Sequence, residues 1–152
     1  MKNICIVTGS RAEFGLLRSL IKKFQEDKYF NCKLVVTGSH LQKKFGYSKK
    51  EIINSGVNIY TEIKNYPKLD NTKNIIKSIS VGLEKFNEFF LKEKIELLII
   101  LGDRHELLAP VISASFNQIL IAHIGGGDIT KGSLDDNIRH CLTKLSWLHF
   151  VS

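Results

Sequence analysis

Four short runs in this chain are almost continuously apolar and rich in β-branched residues: "NICIVT" at 3–8, "CKLVVTG" at 32–38, "ELLIILG" at 96–102 and "ILIAHIGGG" at 119–127. A strand with one wet face alternates polar and apolar residues, so unbroken apolar runs are strands buried on both faces. Helical patterns separate them. Residues 12–27 place Leu16, Leu17, Leu20, Ile21 and Phe24 at helical spacing, and residues 72–94 do the same with Ile75, Ile76, Ile79, Leu83, Phe86, Phe89 and Phe90. Such stripes are core rather than cofactor-binding surfaces. "VNIYTEI" is a weaker third strand, "LDDNIRHCLTKLS" a helix and "WLHFVS" a last strand. "HELLAPVISASFNQ" is a helix in which Pro110 demands a kink or a late start. "YPKLDNT" is the clearest loop, with Asn71 or Thr72 capping the long helix after it. Strands alternating with helices predict an α/β fold, a doubly wound Rossmann-like parallel sheet of order 3-2-1-4-5-6.

The 152 residues suffice for a single domain, 1–152, with a full core. The chain stops as its last strand ends, without a helix to cover it, so one half of a larger protein is expected. No run is long enough to span a bilayer, and "MKNICIVTGS" lacks the long apolar core of a signal peptide; a cytoplasmic location and no membrane partner are the expectation. Cys5, Cys32 and Cys141 form no CxxC, and the first two sit in strand runs as small hydrophobes. The net charge of +7 raises nucleic acid as a partner. However, the lysines are scattered through "SLIKKF", "HLQKKF" and "YSKKE" without interleaved aromatics, which fits a solvated surface that steers anions rather than a nucleic-acid interface.

In doubly wound sheets ligands bind beyond the carboxyl ends of the strands, where the strand order reverses. The loops "GSRAEFG", "GDRHE" and "HIGGGD" should therefore converge, gathering Arg11, Asp103, Arg104, His105, Glu106, His123, Asp128 and Asp135 into one cleft. The first loop is no dinucleotide fingerprint: Arg11 stands where the second glycine must be, and no acidic residue ends the second strand run to hold a ribose. A nicotinamide enzyme is disfavoured and no cofactor is expected. Arg11 at a helix start can clamp a phosphate, and an exposed arginine with no ligand fits the local sequence equally. Asp103, directly after a buried strand, reads as a partly desolvated functional carboxylate or as a helix cap. Asp135 reads either as a functional carboxylate or as a capping residue paired with Arg139 one turn on. His40 and His149 stand alone, as structural or surface histidines do, and no metal-site spacing is present.

Together "TGSRAEFGLL", "VTGSHL", "LGDRHELLA" and "HIGGGDITKGSLDDNIRHCLTKLS" resemble the UDP-N-acetylglucosamine 2-epimerase family, in its hydrolysing branch. The resemblance implies the N-terminal half of a fold of two Rossmann-like domains, of the GT-B glycosyltransferase type, with the substrate between them. It implies a UDP-sugar as ligand, a missing C-terminal Rossmann-like domain as partner, and a homo-oligomer. The implied reaction converts UDP-N-acetylglucosamine to N-acetylmannosamine and UDP, by elimination of UDP and then hydration, for sialic or nonulosonic acid biosynthesis. Carried over by motif, Asp103 and Asp135 are the implied catalytic carboxylates. Arg11, Glu106, His123, Gly126, Arg139 and His140 are the implied substrate-binding residues. A third family carboxylate sits two residues after the histidine of "HIxGG"; here that position is Gly125, and Asp128 is the candidate stand-in. Two alternatives follow: the same chemistry on UDP-N,N'-diacetylbacillosamine, for legionaminic acid, and a nucleotide-binding or assembly half-domain without activity.

Overall fold

The structure, a computed structural model, describes residues 1–66 and 71–151. Positions 67–70 of the predicted "YPKLDNT" loop and Ser152 lie outside the described residues. Six parallel strands form one sheet of order β3-β2-β1-β4-β5-β6: β1 (Lys2–Thr8), β2 (Phe30–Val36), β3 (Thr61–Glu62), β4 (Leu97–Leu101), β5 (Leu120–Gly126) and β6 (Leu148–Val151). The helices are α1 (Arg11–Glu26), α2 (Lys49–Asn54), α3 (Thr72–Glu93), α4 (Leu108–Phe116) and α5 (Leu134–Leu145). The predicted order and the parallel pairing hold. Ile4 to Ile6 of β1 lie opposite Leu97 to Ile99 of β4, placing the carboxyl ends of β1 and β4 side by side at the reversal of strand order.

Three elements start and stop where local chemistry says they must. Asn71 caps α3, its side chain accepting from the Asn74 N–H at 3.0 Å. Helix α4 begins late, after a 3-10 turn over His105–Leu107. Pro110 therefore falls in its first turn, where a missing N–H breaks no helical bond. Strand β3 keeps only two residues of the predicted "VNIYTEI", since it is an edge strand pairing only Val35 and Val36.

The core lies on both faces of the sheet. Phe86 and Phe90 of α3, Val111 and Ala114 of α4, and Ile138 and Leu142 of α5 pack with Cys5, Val7, Leu98 and Ile100. On the other face, Phe14, Leu17 and Ile21 of α1 and Ile52 of α2 pack with Ile6, Leu34, Val36 and Ile99. The helical stripes are narrower than the sequence pattern: Leu16 and Ile76 are 73% and 61% exposed. Each sits one residue, about 100° of helix turn, from the buried line. Cys5 is buried and Cys32 half-buried; burial pushes the Cys5 thiol well up and the Cys32 thiol to about 12.

Candidate functional site

The loop after β1 turns around a capping box. The Ser10 hydroxyl accepts from the Glu13 N–H at 3.4 Å, while Glu13 Oε2 accepts from the N–H groups of Gly9 at 2.7 Å and Ser10 at 3.3 Å. Glu13 is 5% exposed. Burial raises its carboxyl to about 7; the backbone N–H of Gly9 opposes this, and nearby Glu106 adds to it. Arg11 points elsewhere, pairing with Glu51 of α2 at 2.6 Å on the surface.

Behind this loop lies a second one, after β2. Gly38 has φ +58°, and a Cβ there would stand 2.8 Å from the Gly9 carbonyl, so only glycine lets the two loops touch. The Ser39 hydroxyl and the His40 N–H both donate to that carbonyl, at 2.9 and 3.3 Å. His40 is fully buried, its Nε2 3.0 Å from the Thr8 hydroxyl and its Nδ1 2.7 Å from the Ser48 hydroxyl. Burial lowers its pKa to about 4, so it is a neutral structural bridge at pH 7. Lys43, Lys44, Lys50 and Lys64 line an open depression next to this loop, close to Arg11.

The loop after β4 presents Asp103, Arg104, His105 and Glu106. Glu106 is 5% exposed and accepts three bonds from Arg104, at 3.0 to 3.3 Å, with His105 Nδ1 at 3.4 Å. Asp103 caps nothing: Arg104 takes the cap position of the 3-10 turn, without a side-chain bond. Its Oδ2 instead accepts from Arg139 Nε at 3.1 Å and, more closely, from Nη2.

Arg139 of α5 ties the glycine-rich loop down. Its Nη1 donates to the Asp128 carbonyl at 2.7 Å, to Thr130 Oγ1 at 3.3 Å and to Asp136 Oδ1 at 3.3 Å. The hydrogen bond to Asp103 holds the guanidinium pKa above its ordinary value. The expected pairing of Arg139 with Asp135 is replaced by Asp136, and the cap of α5 is Ser133, which accepts from the Asp135 N–H at 3.2 Å. Asp136 also faces His140 at 3.6 Å. His123 is fully buried: Nε2 donates to the Gly102 carbonyl at 2.7 Å, Nδ1 stands 3.0 Å from the Thr143 hydroxyl, and burial lowers its pKa.

Gly125, at φ +75°, lies where the β5–β6 register slips between Ile124 and Gly126, a left-handed bulge that disfavours any residue with a Cβ. At Gly126 a Cβ would sit 2.7 Å from Thr143 Oγ1 and 2.9 Å from His123 Nδ1.

The fold thus brings Asp103 together with Arg139, and Glu106 together with Glu13. Asp128, Asp135 and His140 occupy the exposed rim, with Asp135 within electrostatic reach of Arg104. Sequence reasoning missed Glu13 as a site residue; its signal was the S-x-x-E spacing from Ser10. Among the described residues no group of three or more His, Cys, Asp or Glu is arranged to hold a metal, and no helix is long and apolar enough to cross a membrane. Chemically, the cleft offers an ion-paired carboxylate, a buried acid and basic side chains around a helix start, which suits proton transfer beside an anionic ligand.

The UDP-N-acetylglucosamine 2-epimerase family profile matches residues 22–152. The chain is 38% identical to a GDP/UDP-N,N'-diacetylbacillosamine 2-epimerase (hydrolyzing) of Campylobacter jejuni, covering 99% of this chain and 39% of that protein. It is 36% identical to the polysialic acid biosynthesis protein P7 of Escherichia coli, over 100% of this chain and 39% of that protein. The chain therefore spans about two fifths of the length of these relatives. Its fold matches the crystal structure of a UDP-GlcNAc 2-epimerase of Neisseria meningitidis bound to UDP-GlcNAc with a TM-score of 0.82, at 16% identity, over 99% of this chain and 40% of that one.

Proposed function

The chain belongs to the UDP-N-acetylglucosamine 2-epimerase family, and on that premise we propose that it is the N-terminal nucleotide-sugar-binding half of a cytoplasmic, hydrolysing UDP-2-acetamido-sugar 2-epimerase. The observation that carries the reading is the Asp103–Arg139 pair, which ties the loop after β4, beside the reversal of strand order, to helix α5. The reaction eliminates UDP across C1 and C2, then adds water with inversion at C2, which needs carboxylates to take and return a proton near C2. Arg139 holds the Asp103 carboxylate in one orientation, as a general base requires. Asp135 and Asp128, on the rim, are the further carboxylates for the leaving oxygen and the water. The start of α1 and the neighbouring lysines receive the diphosphate, joined by Arg11 when it leaves its surface pair with Glu51, and Glu106, His123, Gly126 and His140 line or shape the pocket. The rest of the protein, with a second Rossmann-like domain, completes the site in a homo-oligomer, so the 152-residue chain alone is expected to be inactive.

Full-length protein incubated with UDP-N-acetylglucosamine should release UDP and N-acetylmannosamine; no UDP from any UDP-2-acetamido sugar would overturn the assignment. Asp103→Asn should lower kcat by about 10²- to 10⁴-fold while leaving the melting curve cooperative. Gly125 and the C. jejuni relative support a second substrate, UDP-N,N'-diacetylbacillosamine. Comparing kcat/KM for the two sugars decides between them.

A further inference from the structure

Among the described residues, two buried side-chain polar atoms lack a hydrogen-bond partner, Glu13 Oε1 and His105 Nε2, and both belong to the loops at the reversal of strand order. Glu13 Oε2 is already occupied by the Gly9 and Ser10 N–H groups, so a proton on this carboxyl group sits on Oε1. Next to it stands a second buried carboxylate, Glu106, satisfied by Arg104. Gly9 lies between them: a Cβ there would be 3.6 Å from Glu13 Oε2 and 3.8 Å from Glu106 Cβ. We propose that Glu13 is a positioning residue which works as a neutral, proton-bearing acid, holding the loop after β1 in place beside Glu106 and keeping a second negative charge away from the start of α1.

The electrostatics agree. Two neighbouring buried carboxylates resist being ionised together; Arg104 hydrogen-bonds Glu106 and reaches Glu13 only through space, and burial raises the Glu13 carboxyl to about 7. Arg104 is engaged with Glu106, and His105 faces Glu106 from the same loop. From the loop after β2, His40 stands edge-on to Phe14 and is neutral above pH 4. Arg11, on the same helix, is turned to Glu51. Ionising Glu13 therefore adds a negative charge where, on the nucleotide-sugar reading above, a diphosphate docks.

The test has two arms. In this chain, carboxyl carbon NMR should show one glutamate titrating near pH 7, lost in Glu13→Gln and moved towards 4.5 in Glu106→Gln. Because the folded value lies above the unfolded one, Glu13 contributes stability that is full below pH 4.5 and lost as pH rises through 7. The Tm of Glu13→Gln relative to the unsubstituted chain should therefore climb from pH 5 to pH 8. His40 contributes oppositely but equally in both chains and cancels. A Glu13 signal titrating in the ordinary carboxylate range, or a Tm difference that is constant with pH as for a plain cap, would overturn the proposal.

In the full-length enzyme, the KM for the UDP-sugar should rise severalfold from pH 6.5 to 8.5, and that rise should vanish in Glu13→Gln. A rise of equal size in both proteins sinks the positioning role. If no UDP is released at all, the nucleotide-sugar reading falls, and the carboxyl titration still decides for or against Glu13.

Discussion

The loops after β1 and β4 and the glycine-rich loop after β5 meet at one cleft but are built on opposite plans. The first two each bury a glutamate: Glu13 rests on backbone N–H groups of its own loop, and Glu106 on Arg104 two residues away. Their contacts are short-range, and the touching glycines Gly9 and Gly38 leave no room to shift. The loop after β5 exposes its carboxylates and is strung on one side chain, Arg139, which reaches Asp103, Asp136, Thr130 and the Asp128 carbonyl at once. One region is held by local contacts within each loop, the other by a single cation reaching across. On the nucleotide-sugar reading proposed above, this pairs a fixed floor with a rim that can be let go.

Arg139→Met tests this contrast most severely. It strands Asp103 and unties the loop, and should destabilise the chain by about 3 kcal/mol in urea unfolding, with faster amide exchange through residues 127–133 and little change in the loop after β1. Equal exchange in both loops would show that one cation does not hold the rim. Gly126→Ala forces a Cβ against Thr143 and His123 and should lose about 1–3 kcal/mol. Gly125→Ala meets no close atom, with Gly102 N nearest at 4.0 Å, but must hold φ +75°, so a loss of about 1–2 kcal/mol is expected in the same titration. Asp135→Asn, on the exposed rim, should change stability by less than about 0.5 kcal/mol. A larger effect would mean that the rim carboxylates, like the buried ones, help to hold the fold.

Much of this could be read from the sequence. The unbroken apolar runs signalled a parallel sheet, and the positions of Asn71 and Pro110 marked where α3 and α4 start, because caps and proline act over one helical turn. The convergence of the "GSRAEFG" and "GDRHE" loops followed from the strand order. The partner of Asp103 was not legible, since Arg139 lies 36 residues away in sequence. Nor was the choice of Asp136 over Asp135: both spacings reach Arg139 on a helix, and the pull of Asp103 and the Asp128 carbonyl sets the rotamer. Leu16 and Ile76 show the same limit on the core side, where periodicity counts apolar residues but not which of them the sheet covers.

The sequence alone determined the layer architecture, the strand order and the residues brought to the carboxyl end of the sheet, because these depend on patterns repeating every two or 3.6 residues. Only the tertiary structure decided how each carboxylate is used. Whether an acid is ion-paired like Asp103, solvated like Asp135 or kept near neutrality like Glu13 depends on burial and on charges brought close through space, and neither is a property of the local chain.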